Sequence, residues 1–189
     1  MMLYFRQHRI EQIHFQNQIP NTRPDHLIGT ATGESDISSI IRNDPQSMAH
    51  PEIRKFMALC DPLRNDAPLA LQQLQTRPFL GFWPSMIVNR WDSDAKDFLT
   101  TFWGTRLVEA CGLEQTGQHV RSAGGETGET LHYAHAEVIK TGQPLYLGGQ
   151  LDWFNKSHRR WDQVTLPLTR EVPVENTLSA TISFLVFAG

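Results

Sequence analysis

Phe98-Leu99-Thr100-Thr101-Phe102-Trp103-Gly104-Thr105-Arg106-Leu107-Val108-Glu109-Ala110-Cys111-Gly112-Leu113-Glu114-Gln115-Thr116-Gly117-Gln118-His119-Val120 reads as a strand, a tight turn, a short helix and a loop. Phe98, Thr100 and Phe102 alternate with Leu99, Thr101 and Trp103, the period-two pattern of a strand built from aromatic and β-branched residues. Gly104 breaks that strand. Thr105 is placed to cap the next helix with its hydroxyl, Leu107, Val108 and Cys111 give that helix one apolar side, and Gly112 supplies its C-terminal stop. Gly117 closes the loop.

Upstream, Met86, Val88 and Arg90 alternate with Ile87, Asn89 and Trp91. The polar turn Asp92-Ser93-Asp94-Ala95-Lys96 leads back into the Phe98 strand, which predicts a β-hairpin. Earlier still, Pro51 suits a first helical position, and Ile53, Phe56, Met57 and Cys60 follow at helical spacing, an amphipathic helix ending near Pro62. A short helix after Pro68 would bring Leu71 and Leu74 together. Residues 1–48 carry weak patterns interrupted by Pro20 and Pro24; we read them as an N-terminal extension to one domain over residues 49–189.

Downstream, a helix is predicted from near Thr127 to Gly142, with a buried stripe of Leu131, Ala134, His135, Val138 and Ile139. Three strands follow, over residues 144–154, 159–169 and 177–187. The last alternates Leu178, Ala180, Ile182, Phe184 and Val186 with Thr177, Ser179, Thr181 and Ser183, and its second face turns apolar at Leu185 and Phe187. We expect the first face to meet the long helix and the Pro51 helix to cover the Leu185 end of the other. Two strands, helices, then three strands is an α+β arrangement, a five-stranded antiparallel sheet with the last strand central between those of Met86 and Arg159.

Strand, Gly-Thr, short helix and Gly-x-x-x-x-Gly resemble the start of the Per-Arnt-Sim (PAS) sensor fold. More narrowly, Phe98, Gly104, Thr105, Gly112, Thr116 and Gly117 resemble the core motif of a PAS-like family of bacterial proteins, aromatic-x-x-Arg-x-x-Gly-Thr, then Gly, then Thr-Gly. The arginine position of that motif is Thr101 here. The resemblance runs from about His50 to the C-terminus and carries no catalytic motif. It implies a strand order of 2-1-5-4-3, helices cupping the inner face of the sheet, and a helical N-terminal cap on the outer face. It also implies a sensory or regulatory domain in signal transduction, one that binds a small-molecule ligand or a signalling protein and is not an enzyme. No kinase, cyclase or DNA-binding output segment is visible, so a signal is expected to leave through a homodimer or a separate partner.

Composition narrows the field. The 189 residues hold 17 Lys plus Arg against 20 Asp plus Glu, a net charge of −3, which gives no electrostatic case for nucleic acid or an anionic membrane. Hydrophobic residues make up 40%, with no apolar run of membrane-spanning length and no signal-peptide pattern at the N-terminus, so a cytoplasmic location is expected. Cys60 and Cys111, each in an apolar helical pattern, suit reduced buried thiols rather than a disulfide framework.

His135 is the residue with most chemical promise, because it stands on the apolar stripe of the long helix. In some haem-binding PAS proteins the axial histidine comes from the equivalent helix, so the resemblance brings haem into view as a cofactor. A core histidine bonded to the backbone is the weightier alternative, since nothing else points to porphyrin propionates. His132, three residues before it, and His119 could form a metal site only without the cysteine pairs that structural zinc prefers. The basic run Lys156-Ser157-His158-Arg159-Arg160-Trp161 reads as a solvated hairpin tip. The runner-up reading is a small cone-shaped α+β enzyme, an isomerase or dehydratase, using His135 and a carboxylate. Our leading expectation is a ligand pocket lined by Phe102, Leu131, His135, Val138, Val164, Leu166, Ile182 and Phe184, the residues on the apolar phases of their elements.

Overall fold

Pro51 opens helix α1 (Pro51–Arg64), whose Ile53, Phe56, Met57 and Cys60 form the buried stripe their spacing predicts. The chain then passes through a two-residue strand β1 (Leu69–Ala70) and a single-turn helix α2 (Leu71–Leu74) into the hairpin β2 (Met86–Asp92) and β3 (Asp97–Trp103). Helix α3 (Thr105–Cys111) and the long helix α4 (Gly125–Thr141) precede the strands β4 (Leu145–Leu151), β5 (Lys156–Thr169) and β6 (Ala180–Ala188). The computed structural model describes residues 50–64, 68–123, 125–151, 156–169 and 179–188. The expected extension over residues 1–48 and the expected start of the last strand at Thr177 lie outside them. Among the described residues no helix is long and apolar enough to cross a membrane.

The protein is a mixed α+β fold on an open sheet, with six strands among the described residues. β3 pairs with β2, β2 with β6, β6 with β5 and β5 with β4, all antiparallel. The C-terminal strand therefore lies between β2 and β5, as its alternation led us to expect. The expected count of five antiparallel strands is corrected by β1, which pairs in parallel with the end of β5 through Leu69–Leu168 and Ala70–Thr169. Leu69 and Ala70 are both fully buried there, so the segment after Pro68 serves the sheet before it turns into a helix.

Which helix covers which face is the reverse of expectation. Every residue of β6 from Ala180 to Val186 is buried, so its alternation distinguishes two covered faces rather than core from solvent. Ala180, Ile182, Phe184 and Val186 share a core with Ile53, Phe56, Met57 and Cys60 of α1. Leu185 and Ile87 belong to a second core with Ala134 and Val138 of α4, and Trp161 and Leu147 complete it. The physical reason is chemical matching. The stripe of α1 is wholly apolar and takes the wholly apolar strand face, whereas α4 carries histidines that can pair with the hydroxyls interleaved on the other.

Trp161, at 1% exposure, also corrects the reading of the basic run: Lys156 already opens β5, and the aromatic residue is core. Cys60 and Cys111 are buried and unbridged, and burial pushes the Cys60 thiol up to about 12.

The Gly-Thr step is governed by close approach rather than by a threonine cap. Gly104, not Thr105, is the N-cap of α3, and no side-chain cap bond forms. Its N–H donates to the Met86 carbonyl at 2.9 Å, and a Cβ there would lie 2.3 Å from the backbone oxygen of Pro84. Gly104→Ala must therefore push backbone apart, and a loss of about 1–3 kcal/mol in denaturant unfolding is expected. A midpoint unchanged from the parent chain would show that the Pro84 segment yields freely.

Candidate functional site

The loop between α3 and α4 reaches the site through backbone pairing. Gly112 and Gly117 both adopt φ of 83°, the left-handed conformation that glycine tolerates. Thr100 N–H donates to the Gln118 carbonyl at 2.9 Å and Gly117 N–H to the Thr100 carbonyl at 2.8 Å, which lays the loop along the outer edge of β3. His119 thereby arrives at the mouth of a cavity of about 90 Å³ between α4 and the sheet. Ile87, Trp103, Leu131 and Leu185 supply apolar wall, and Asn89, Thr100, His135 and Gln163 supply polar groups.

These polar groups are arranged in two buried networks. His135 stands on α4 opposite β2 and β6, with Nδ1 2.9 Å from Thr181 Oγ1 and Nε2 3.1 Å from the Asn89 amide nitrogen. Thr100 donates to the Asn89 carbonyl oxygen at 2.9 Å, which orients the amide to donate to Nε2, so the neutral ring carries its proton on Nδ1. Burial, with His132 adding to it, lowers the His135 pKa to about 3, while Asp97 acts weakly in the other direction. In the second network the Gln163 amide nitrogen donates to Thr165 Oγ1 at 2.7 Å and to Ser183 Oγ at 3.1 Å.

One buried donor, on a residue that lines the cavity, is left over. Trp103 Nε1 is buried and has no hydrogen-bond partner among the described residues. An unmet buried donor of this kind costs roughly 1–3 kcal/mol.

A histidine–carboxylate pair lies behind the cavity. His132 Nδ1 is 2.9 Å from Asp97 Oδ1, with both side chains buried, and Asp97 also accepts the backbone N–H of Phe98 at 2.7 Å and of Arg121 at 3.0 Å. Burial works to raise the Asp97 pKa, but the His132 bond and the two amides outweigh it and hold the carboxyl below its usual range. At the mouth, His119 Nε2 meets Asp92 Oδ2 at 3.1 Å, and that bond keeps the Asp92 carboxyl low.

Of the eight residues expected to line a single pocket, Leu131 and His135 line this cavity, and Val138 packs in the core on the same side of the sheet. Val164, Leu166, Ile182 and Phe184 belong to the core under α1, and Phe102 packs against it. The sheet stands between the two groups because the apolar phases of β5 and β6 face α1. Asn89, Thr100, Trp103 and Gln163 were missed. Their signal was present: Asn89 shares a phase with Ile87 and Trp91, and Thr181 and Ser183 recur on one face of a strand otherwise apolar.

The haem reading meets a poor fit. Both ring nitrogens of His135 are engaged, and about 90 Å³ is well below the roughly 300–1,000 Å³ typical of even drug-sized ligand sites. His119, His132 and His135 each face a different partner, and among the described residues no three metal-binding side chains converge. No family model matches this chain, and no curated protein and no solved structure matches it either.

Proposed function

We propose that this protein is a PAS-like sensory or regulatory domain that binds a small polar molecule in the cavity beneath α4. The observation that carries the ligand reading is a cavity whose lining sets Asn89, Thr100, His135 and Gln163 against apolar wall, beside the unmet Nε1–H of Trp103; a carbonyl or carboxylate oxygen is the acceptor that donor would take. The volume restricts that molecule to a few heavy atoms. Pairing in the order β3-β2-β6-β5-β4 corresponds to 2-1-5-4-3 when the hairpin strands are counted first, and this supports the PAS-like reading. So do the positions of α4 on one face and α1, as an N-terminal cap, on the other. The unbridged cysteines are in keeping with a cytoplasmic setting.

His135 favours binding over acid–base catalysis. A ring with a pKa of about 3 and both nitrogens bonded is poorly matched to proton transfer near neutral pH. The signal would leave through a protein partner or a second copy of the chain.

The test is an indole ¹⁵N–¹H spectrum of the full chain, whose five tryptophans give separable resonances, with Trp103 assigned through Trp103→Phe. Formate, acetate, propionate, pyruvate and acetamide serve as probes. Saturable movement of the Trp103 resonance with at least one probe is expected. If none moves it and denatured native-source protein releases no small molecule, the ligand reading fails and a pure interaction module replaces it.

A further inference from the structure

A second cavity, of about 550 Å³, opens on the other side of the sheet, beside the core under α1. Trp83, Val88, Phe102 and Leu168 line it, and Arg90 of β2, Gln75 and Thr101 contribute polar groups. We infer that this cavity is a binding site for a small carboxylate with a flat apolar body, held by the Arg90 guanidinium against Trp83 and Phe102.

Three observations support this. Arg90 shares the strand phase of Met86 and Val88 but lies where the cover of α1 has ended, so a cation stands half-buried at the edge of an apolar wall. Among the described residues it has no ion pair and no side-chain hydrogen bond, whereas Arg64 and Arg121 each meet a carboxylate. A guanidinium in that setting binds a carboxylate in two parallel hydrogen bonds. The walls, moreover, suit an aromatic guest. Trp83 and Phe102 meet edge to face with ring centroids 4.9 Å apart, and the Trp83 N–H is already spent on the Leu74 carbonyl at 2.9 Å, so what these rings offer is apolar surface. Finally, one cation matches one negative charge. Phosphate esters, which carry more charge, usually draw on several cations or a helix N-terminus, and among the described residues Arg90 is the one cation that lines this cavity. The volume falls within the range of ordinary small-molecule sites.

This site does not depend on the cavity beneath α4, and the two are told apart by their tryptophans. Titration of the full chain with naphthoate, followed in the indole spectrum and by calorimetry, should move the Trp83 resonance saturably while Trp103 stays in place. The neutral amide of the same ring system should bind roughly tenfold to a hundredfold more weakly, the factor expected for a charge-assisted pair. Arg90→Gln should lower naphthoate affinity to that of the amide. Thr101→Trp, at an exposed position on the cavity wall, should block both compounds with Arg90 untouched. Absence of saturable binding, equal affinity for acid and amide, or undiminished binding to folded Arg90→Gln would each overturn the assignment. If Arg90→Gln does not fold, Thr101→Trp together with the acid-to-amide ratio decides.

Discussion

Acidifying this protein from pH 7 to pH 4 is expected to cost it about 3 kcal/mol of stability through His135 alone. In the unfolded chain the ring titrates near 6.5, and in the folded protein near 3, because burial between α4 and the sheet disfavours the imidazolium. The unfolded state therefore takes up a proton that the folded state refuses. Stability from this group is complete above about pH 6.5 and falls by about 1.4 kcal/mol per pH unit until the folded ring titrates too. His132 adds to the suppression and Asp97 works weakly against it. The low carboxyls of Asp92 and Asp97 contribute a separate loss only below about pH 4, as acid protonates them in the fold. The measurement is urea unfolding at half-unit steps of pH for the parent chain and for His135→Gln. Between pH 6 and pH 4 the parent should lose stability more steeply than the variant, whatever their absolute difference at pH 7. Parallel curves would mean that the ring is not held neutral between Asn89 and Thr181.

Phe56→Ala is expected to cost about 3–5 kcal/mol. The side chain is wholly buried and meets three other rings, with centroids 6.1 Å away at Phe79, 5.5 Å at Phe82 and 4.9 Å at Phe184. No single neighbour can collapse into the space, because Phe82 and Phe184 already brace one another edge to face at 5.2 Å. Chemical denaturation reads the loss directly. A change below about 1 kcal/mol would detach α1 from the folding unit. Since this helix was expected to cover Leu185 rather than Phe184, the pair Phe184→Ala and Leu185→Ala is informative as well. Only the former should couple to Phe56 in a double-mutant cycle.

Most of the scaffold was legible because its signals are local. Pro51 and the spacing of Ile53, Phe56, Met57 and Cys60 announce a helix, and the alternation of the β2–β3 hairpin announces itself. The site was less legible because period-two alternation says that two faces differ without saying what lies over each. Thr181 and Ser183 read as solvent-facing until α4 is placed above them, and His135 gives no hint in sequence that Asn89, 46 residues earlier, is its partner. The two-residue strand at Leu69 was hidden for another reason: its pairing with Leu168 is parallel and too short to leave a pattern. Gly104 was noticed as a breaker, but the nearness of Pro84 that demands it is a tertiary fact.

The central place of β6 sets an order of events for the nascent chain. The β2–β3 and β4–β5 hairpins pair between near neighbours in sequence, yet among the described residues no ladder joins one to the other. Only β6 does so, pairing Met86 with Phe184 on one side and Val164 with Phe184 on the other. During synthesis the two halves must therefore wait, each with an open strand edge and an apolar face, until the last described strand has left the ribosome. The contacts that unite them join residues as far apart as Met86 and Phe184, which makes folding slow for the size of the domain and leaves both open edges exposed to aggregation until β6 is in place.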